Sequence, residues 1–264
     1  MQLRRADGHR IGAVATLARA VLNAYMGRMS QDSPQLSRQA PLGHEPSEHQ
    51  PAINAPWPVV LVTVSIIVAY AIQTRVPMDV VAGALAFSPS LLGHGGEPRL
   101  ITSLFVHGSW AHALMNAAFI LAFGAPVARY FGPRAMGVVL FLSFYLACGA
   151  LACLGFAALH WGQQAALLGA SGAASGLMGA AARLIGGRGE VGPVFSKAVT
   201  GMGGGWLVVN IIMAVAGGTL IPGASGGTIG WEAHLAGFAA GVLLMGPFAW
   251  VARRVAAPLQ VTRP

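Results

Sequence analysis

The sequence predicts an all-α membrane protein built from six transmembrane helices. Of its 264 residues, 55% are hydrophobic and only 9% are charged, whereas soluble domains carry about a quarter charged residues. Six apolar stretches have lengths that suit helices crossing a bilayer or entering it. These stretches, numbered as segments one to six, are residues 57–73, 110–130, 135–159, 171–186, 205–221 and 231–251.

The distribution of basic residues predicts how these segments are oriented. Arg75 and Arg99 lie in loops that follow an odd-numbered segment, and the other lysine and arginine residues lie before segment one or in and after the even-numbered segments. By the positive-inside rule, both termini are then cytoplasmic, as expected for a multi-pass protein of a bacterial inner membrane. The formal net charge of +8 is explained by this topology and by contact with anionic lipids, and we expect no nucleic-acid partner.

Three regions follow from the composition. Residues 1–55 are predicted to be a largely disordered cytoplasmic tail, because residues 30–54 are rich in polar residues and proline. Residues 56–252 form the predicted six-helix domain, and residues 253–264 form a short basic cytoplasmic tail. Whether residues 1–28 belong to the mature chain stays open, since methionines follow at positions 26 and 29.

Segment four is short and begins with a serine. At 1.5 Å per residue it spans about 24 Å, less than the roughly 30 Å of a hydrocarbon core. We therefore expect this helix to begin below the membrane surface, in a cavity that water can reach. Ser171 would lie at the helix N-terminus, whose free N–H groups suit a developing oxyanion, and Gly169 and Gly172 permit a tight turn. The alternative is a helix-capping Ser171 followed by small residues for helix packing.

Segments six and two supply further polar side chains. His234, Gly237 and Gly241 share one helix face in segment six, and the glycines would let this face approach segment four. Histidine is the usual general base for a serine nucleophile. In segment two, His112 and Asn116 are neighbours at i and i+4, and both side chains can donate to an oxyanion. The alternative for each of these polar side chains is a hydrogen bond between helices.

These motifs resemble the rhomboid intramembrane serine proteases over about residues 57–251. The resemblance rests on the histidine and asparagine of segment two, on the GxSG that opens segment four and on the AHxxGxxxG of segment six. It implies a catalytic dyad of Ser171 as nucleophile and His234 as general base. It also implies an oxyanion hole formed by the Ser171 backbone N–H and the side chains of His112 and Asn116.

The resemblance further implies an activity and its partners. We expect a serine endopeptidase that hydrolyses peptide bonds in or near the transmembrane helices of membrane proteins, in contact with membrane lipids and without a metal or small-molecule cofactor. The main alternative is a non-proteolytic rhomboid-like protein that binds transmembrane helices. A small transporter is disfavoured, because the spans show no repeat and carry little charge at mid-membrane depth.

Four other polar residues are interpreted separately. Many rhomboids have an aromatic residue four positions after the nucleophile, stacked on the histidine, and this chain has Ser175 there. Ser175 is expected to be a small packing residue and Ser225 a flexible loop residue, in a loop that could cover the site. Glu232 is expected to point away from His234 and to lie at the membrane interface. Asn210 is a buried polar residue of segment five, and such residues are functional candidates.

Overall fold

The computed structural model describes residues 55–216 and 230–256, which contain helices and isolated β-bridges but no β-strand. In chain order the elements are α1 (Trp57–Gln73), α2 (Met78–Leu85), a 3-10 turn (Pro89–Leu91), α3 (Arg99–Thr102), a second 3-10 turn (Ser103–Phe105), α4 (Trp110–Phe131), α5 (Ala135–Leu159), α6 (Ser171–Gly186), α7 (Lys197–Ala216) and α8 (Trp231–Ala256). The predicted segments one to six correspond to α1, α4, α5, α6, α7 and α8.

Four of the described helices, α4, α5, α7 and α8, are long and apolar enough to cross a membrane. Helix α1 is apolar but has 17 residues, and α6 has 16. Large apolar side chains such as Val208 and Ile211 are exposed on α7, as expected for a surface that lipid rather than water covers. The prediction of an all-α membrane protein is confirmed, whereas the count of six spanning helices stays a prediction.

Helix α7 begins at Lys197, earlier than the predicted start at residue 205. The predicted segment left out most of the glycine-rich run at residues 201–205, and glycine costs about 1 kcal/mol in a helix interior. In the structure Gly203 lies against the ring of Phe238, where a Cβ would come within 3.0 Å of the ring. Close packing between the two helices therefore offsets the low helix propensity. The predicted end of this segment, at residue 221, lies outside the described residues.

Helix α8 also runs farther than predicted, to Ala256 rather than residue 251. Its last turns carry two arginines that were assigned to the basic tail. The Arg254 guanidinium lies 4.0 Å above the ring of Trp250, and Arg253 Nη1 donates to the hydroxyl of Tyr130 at 3.2 Å. Cations at a helix C-terminus are favourable because of the helix dipole, so the arginines extend the helix instead of ending it.

The connection between α1 and α4 (residues 74–109) is hydrogen-bonded to the residues that immediately precede α6 (167–170). The N–H of Phe87 donates to the carbonyl of Leu167 at 2.9 Å, and the N–H of Leu167 donates back at 2.8 Å. Two residues on, the N–H of Gly169 donates to the carbonyl of Ser103 at 2.9 Å. These backbone hydrogen bonds hold the start of α6 in place from the side of the connection.

Helix α6 lies at the centre of the bundle, in contact with α4, α5, α7 and α8. Every residue from Gly172 to Leu184 is buried. The backbones of α6 and α8 touch: a Cβ on Gly237 would overlap the Gly172 carbonyl oxygen, and a Cβ on Gly241 would overlap that of Gly176. Only glycine permits so close an approach, and it brings the first turns of the two helices side by side.

The C-terminal end of α6 is held by a buried arginine. Arg183 is 8% exposed, its Nε donates to the carbonyl of Gly192 at 2.5 Å, and its Nη1 donates to the carbonyl of Val242 at 2.6 Å. The positive charge is also favourable at this end of the helix dipole. Arg183 therefore ties α6 to α8 at the end of α6 that is remote from Ser171.

Candidate active site

Ser171 is the first residue of α6, and its side chain faces α8. The residue at the cap position is Ala170, and no side chain caps this helix. The capping interpretation of Ser171 is therefore wrong. Its Oγ instead lies 2.8 Å from Nε2 of His234. Gly169, two residues earlier, has a φ of +108°, a conformation that other residues rarely adopt, and this turn directs the chain into the helix.

His234 is placed by the contact between α6 and α8. It lies in the first turn of α8 and is 8% exposed, whereas Ser171 is partly exposed. A donor–acceptor distance of 2.8 Å is that of a normal hydrogen bond, so the hydroxyl proton can pass to the imidazole without a large movement. The structure thus places the two residues of the predicted dyad in direct contact.

His112 and Asn116 converge on the turn that precedes Ser171. They lie on α4, whose first turn is capped by the Ser109 side chain, which accepts from the N–H of His112 at 3.1 Å. A Cβ built on Gly169 would lie 2.7 Å from His112 Nε2 and 3.5 Å from Asn116 Nδ2. Two side chains able to donate therefore border the turn two residues before Ser171, and the missing Cβ leaves the space between them open.

His107 lies in the loop before α4 and contacts one member of this group. Its backbone is fixed by Gln73, whose Nε2 donates to the His107 carbonyl at 2.6 Å and whose Oε1 accepts from the His107 N–H at 3.1 Å. In addition, His107 Nε2 accepts from Nδ2 of Asn116 at 2.9 Å. Burial, with a smaller effect from nearby His112, lowers the pKa of His107 to about 3, so its neutral ring can accept this hydrogen bond and orient Asn116.

Two residues of α7 contact His234, and sequence reasoning assigned neither of them to the site. Oδ1 of Asn210 lies 2.7 Å from Nδ1 of His234, and the ring of Trp206 lies 5.7 Å from the imidazole, centroid to centroid. The available signal was that Asn210 is a polar residue in an otherwise apolar segment. Its partner could not be predicted, because helical spacing relates residues of one helix and not of neighbouring helices.

The remaining polar residues considered in the sequence, Ser175, Ser225 and Glu232, are not assigned to the dyad. Ser175 is buried, and its Oγ donates to the backbone carbonyl of Ser171 at 2.8 Å. The hydroxyl is therefore used within α6. Glu232 Oε1 lies 3.1 Å from Nε2 of His160, at the end of α5, so the partner of this carboxylate is His160 and not His234. Ser225 and its loop lie outside the described residues.

The His160–Glu232 pair predicts a pH-dependent contribution to stability. The pKa of His160 is raised above its ordinary value of 6.5, because its ring N–H groups donate to the Glu232 carboxylate and, with a smaller effect, to Oε1 of Gln163. A raised folded-state pKa adds stability that is complete below the ordinary value and is lost as the pH rises through the folded value. We expect Glu232→Gln to lower the melting temperature more at about pH 5.5 than at about pH 8.5. An equal loss at both pH values, measured in detergent, would contradict this account.

No group of three or more His, Cys, Asp or Glu side chains within residues 55–216 and 230–256 is arranged to hold a metal ion. Helices α4, α6 and α8 bring together a serine, an imidazole in contact with it, and two side chains able to donate hydrogen bonds beside the turn that precedes the serine. This combination, in a bundle of apolar helices, defines a polytopic membrane protein with a serine–histidine site.

The family follows from a comparison of sequences. The model of the Rhomboid domain matches residues 95–250, more than half of the chain, and the chain belongs to the rhomboid family. The match begins before α3 and ends within α8, and it includes Ser171, His234, His112 and Asn116. A search of curated proteins finds no significant match.

Proposed function

We propose that the chain is an intramembrane serine endopeptidase that hydrolyses peptide bonds in or near transmembrane helices. The observation that carries the proposal is the 2.8 Å hydrogen bond between Ser171 Oγ and His234 Nε2. A serine hydroxyl is a weak nucleophile until a base takes its proton, and a membrane interior offers few reasons to bury a histidine against a serine. Family membership supports the proposal, since rhomboids include serine intramembrane proteases as well as inactive members.

The first half of the reaction is acylation. Ser171 Oγ attacks the carbonyl carbon of the scissile peptide while His234 Nε2 accepts the hydroxyl proton. The negative charge that develops on the carbonyl oxygen is stabilised by the Ser171 backbone N–H at the start of α6 and by the side chains of His112 and Asn116. Removing one such donor from a soluble serine protease costs about 2.7–4 kcal/mol of transition-state stabilisation.

The tetrahedral intermediate then collapses. The C–N bond breaks, the protonated His234 donates its proton to the leaving amine, and the acyl group stays on Ser171 as an ester. In the second half a water molecule, deprotonated by His234, attacks the ester carbonyl. The second intermediate releases the carboxylic acid, and the proton returns from His234 to Ser171 Oγ. No cofactor is needed for either half.

The position of the site agrees with substrates that are membrane proteins. Ser171 and His112 are partly exposed, whereas His234 and Asn116 are buried. A substrate would therefore reach the four residues from the side on which Ser171 and His112 are exposed. Because α6 is about 24 Å long and the bilayer core about 30 Å, we place the serine below the membrane surface, in a cavity that water reaches. We also propose an inner-membrane location with both termini cytoplasmic, on the charge distribution described above.

Cleavage of a single-pass reporter tests the proposal. Purified full-length chain is reconstituted in liposomes with a reporter whose transmembrane helix contains small and helix-weakening residues. We expect the wild type to cut the reporter in or near that helix and Ser171→Ala to leave it intact, while Ser175→Ala still cuts. If the wild type binds several such helices and cuts none, the non-proteolytic alternative is favoured. If Ser171→Ala cuts normally, the assignment of the nucleophile is wrong.

The turn at Gly169 supplies a second prediction. We expect Gly169→Ala to lower kcat/KM in the reporter assay by on the order of 10²-fold, because its Cβ would come 2.7 Å from His112 Nε2 and would displace a donor. Gly162→Ala is the matched control, since Gly162 also has a positive φ, of +70°, but has open space around it. Equal activities for the two variants would show that catalysis does not need the open space between Gly169 and His112.

A further inference from the structure

We infer that Asn210, on α7, is a positioning residue that holds His234 in the tautomer able to accept the serine proton. The inference deepens the proposed function and rests on it. Asn210 Oδ1 and His234 Nδ1 are 2.7 Å apart, on the edge of the ring opposite the atom that faces Ser171. Asn210 has no exposed surface, although α7 is largely apolar and has many exposed side chains.

The orientation of the amide follows from its second hydrogen bond. Nδ2 of Asn210 lies 2.8 Å from the backbone carbonyl oxygen of Trp206. A carbonyl oxygen can only accept, so the NH₂ end of the amide must face it. The oxygen of the amide then faces His234, and because this oxygen cannot donate, the proton of the neutral imidazole must be on Nδ1.

The tautomer determines what the other ring nitrogen can do. A neutral imidazole carries one N–H, and with the proton on Nδ1 the lone pair is on Nε2. Nε2 is the atom that lies 2.8 Å from Ser171 Oγ. Asn210 therefore leaves His234 ready to accept the hydroxyl proton, whereas the opposite tautomer would place an N–H against the serine and could not act as a base.

Trp206 supports the ring from its face. Trp206 precedes Asn210 by one helical turn. The centroids of the Trp206 and His234 rings are 5.7 Å apart, and the ring planes are inclined by 37°. The position on α6 where many rhomboids have a stacking aromatic is occupied here by Ser175, whose hydroxyl donates to the Ser171 carbonyl. In this chain both supports of the imidazole, one at its edge and one at its face, thus come from α7.

An amide is a weaker partner than a carboxylate in one respect. It fixes the tautomer, as an asparagine does for the histidine of papain-like proteases, but it adds no negative charge to stabilise the protonated imidazole. A carboxylate at position 210 would favour the protonated form and would keep it populated to higher pH. This difference gives a measurement that a purely structural role of Asn210 would not affect.

The test compares variants of position 210 in the reporter assay. We expect Asn210→Leu to lower kcat by about 10- to 100-fold with KM within about twofold, because the tautomer is no longer fixed. Asn210→Asp should retain more activity than Asn210→Leu, and its activity should fall at a higher pH on the acid side than that of the wild type. Thr200→Val is the control, since it removes an exposed hydroxyl from the same helix.

The result that overturns the inference is distinct from failure of the proposed function. If Asn210→Leu retains wild-type kcat, Asn210 does not position His234. The same conclusion follows if the leucine and aspartate variants lose equal activity and the activity of Asn210→Asp falls at the same acidic pH as that of the wild type. Ser171→Ala and His234→Ala are measured in parallel: if they also cut like the wild type, the proposed function itself has failed. A ¹⁵N spectrum of histidine-labelled protein should show His234 protonated on Nδ1 in the wild type and a mixture of tautomers in Asn210→Leu.

Discussion

Replacing His234 with alanine is expected to lower kcat in the reporter assay by on the order of 10⁴- to 10⁶-fold, as loss of the base does in a soluble serine protease. Without the imidazole, the Ser171 hydroxyl keeps its proton, and the leaving amine has no acid to protonate it. His94→Ala is a suitable control, because His94 is an exposed histidine in the connection between α1 and α4.

The proposed role of His234 as general base also predicts that activity depends on pH. Activity of the wild type should fall as the pH decreases through the range in which His234 is protonated, because the imidazolium has no lone pair on Nε2 to accept the serine proton. The measurement is the initial rate of reporter cleavage in liposomes across the pH range over which the fold is intact. A rate that does not change on the acid side, or a His234→Ala variant as active as His94→Ala, would contradict a histidine base.

The second large effect is expected at the contact between α6 and α8. Gly241→Ala should lower the melting temperature by about 2–12 °C, because overpacking costs about 1–3 kcal/mol and each kcal/mol shifts the melting temperature of a chain of this size by about 2–4 °C. The added Cβ would overlap the carbonyl oxygen of Gly176, and the two backbones would have to separate. Since Ser171 and His234 lie on these two helices, the activity that remains should fall as well.

Gly204→Ala is the matched control for this change. Gly204 is also a helical glycine, but a Cβ there would meet nothing within 4 Å, so alanine should be neutral or slightly stabilising because it favours the helix. The measurement is thermal unfolding of both variants in the same detergent. A melting temperature of Gly241→Ala equal to that of Gly204→Ala would show that α6 and α8 are not in such close contact.

Much of the helical framework could be predicted from hydropathy alone. The start of α6 at Ser171 and of α8 at Trp231 agree with the segments drawn on the sequence, since an apolar run bounded by polar or turn residues is a strong local signal. The short helices between α1 and α4 were not predicted. They are held by contacts with distant residues, such as the pairing of Phe87 with Leu167, and such contacts leave no periodic pattern.

The residues of the candidate site could be proposed from the sequence, but the hydrogen bonds that orient them could not. Ser171, His234, His112 and Asn116 stood out because polar side chains are costly in a membrane. The partners that orient them, His107 for Asn116 and Asn210 for His234, come from a loop and from another helix. Their roles depend on which faces of the helices meet, and hydropathy does not determine this.

The most direct test of the central claim, that Ser171 is the nucleophile and His234 activates it, is the site of covalent reaction with a fluorophosphonate. The serine oxygen attacks phosphorus and fluoride leaves, so the adduct marks the activated hydroxyl. Peptide mapping of the labelled protein should find the adduct on Ser171 in the wild type and none in His234→Ala under the same conditions. An adduct on Ser175 or another serine, or equal labelling of Ser171 in the absence of His234, would contradict the account.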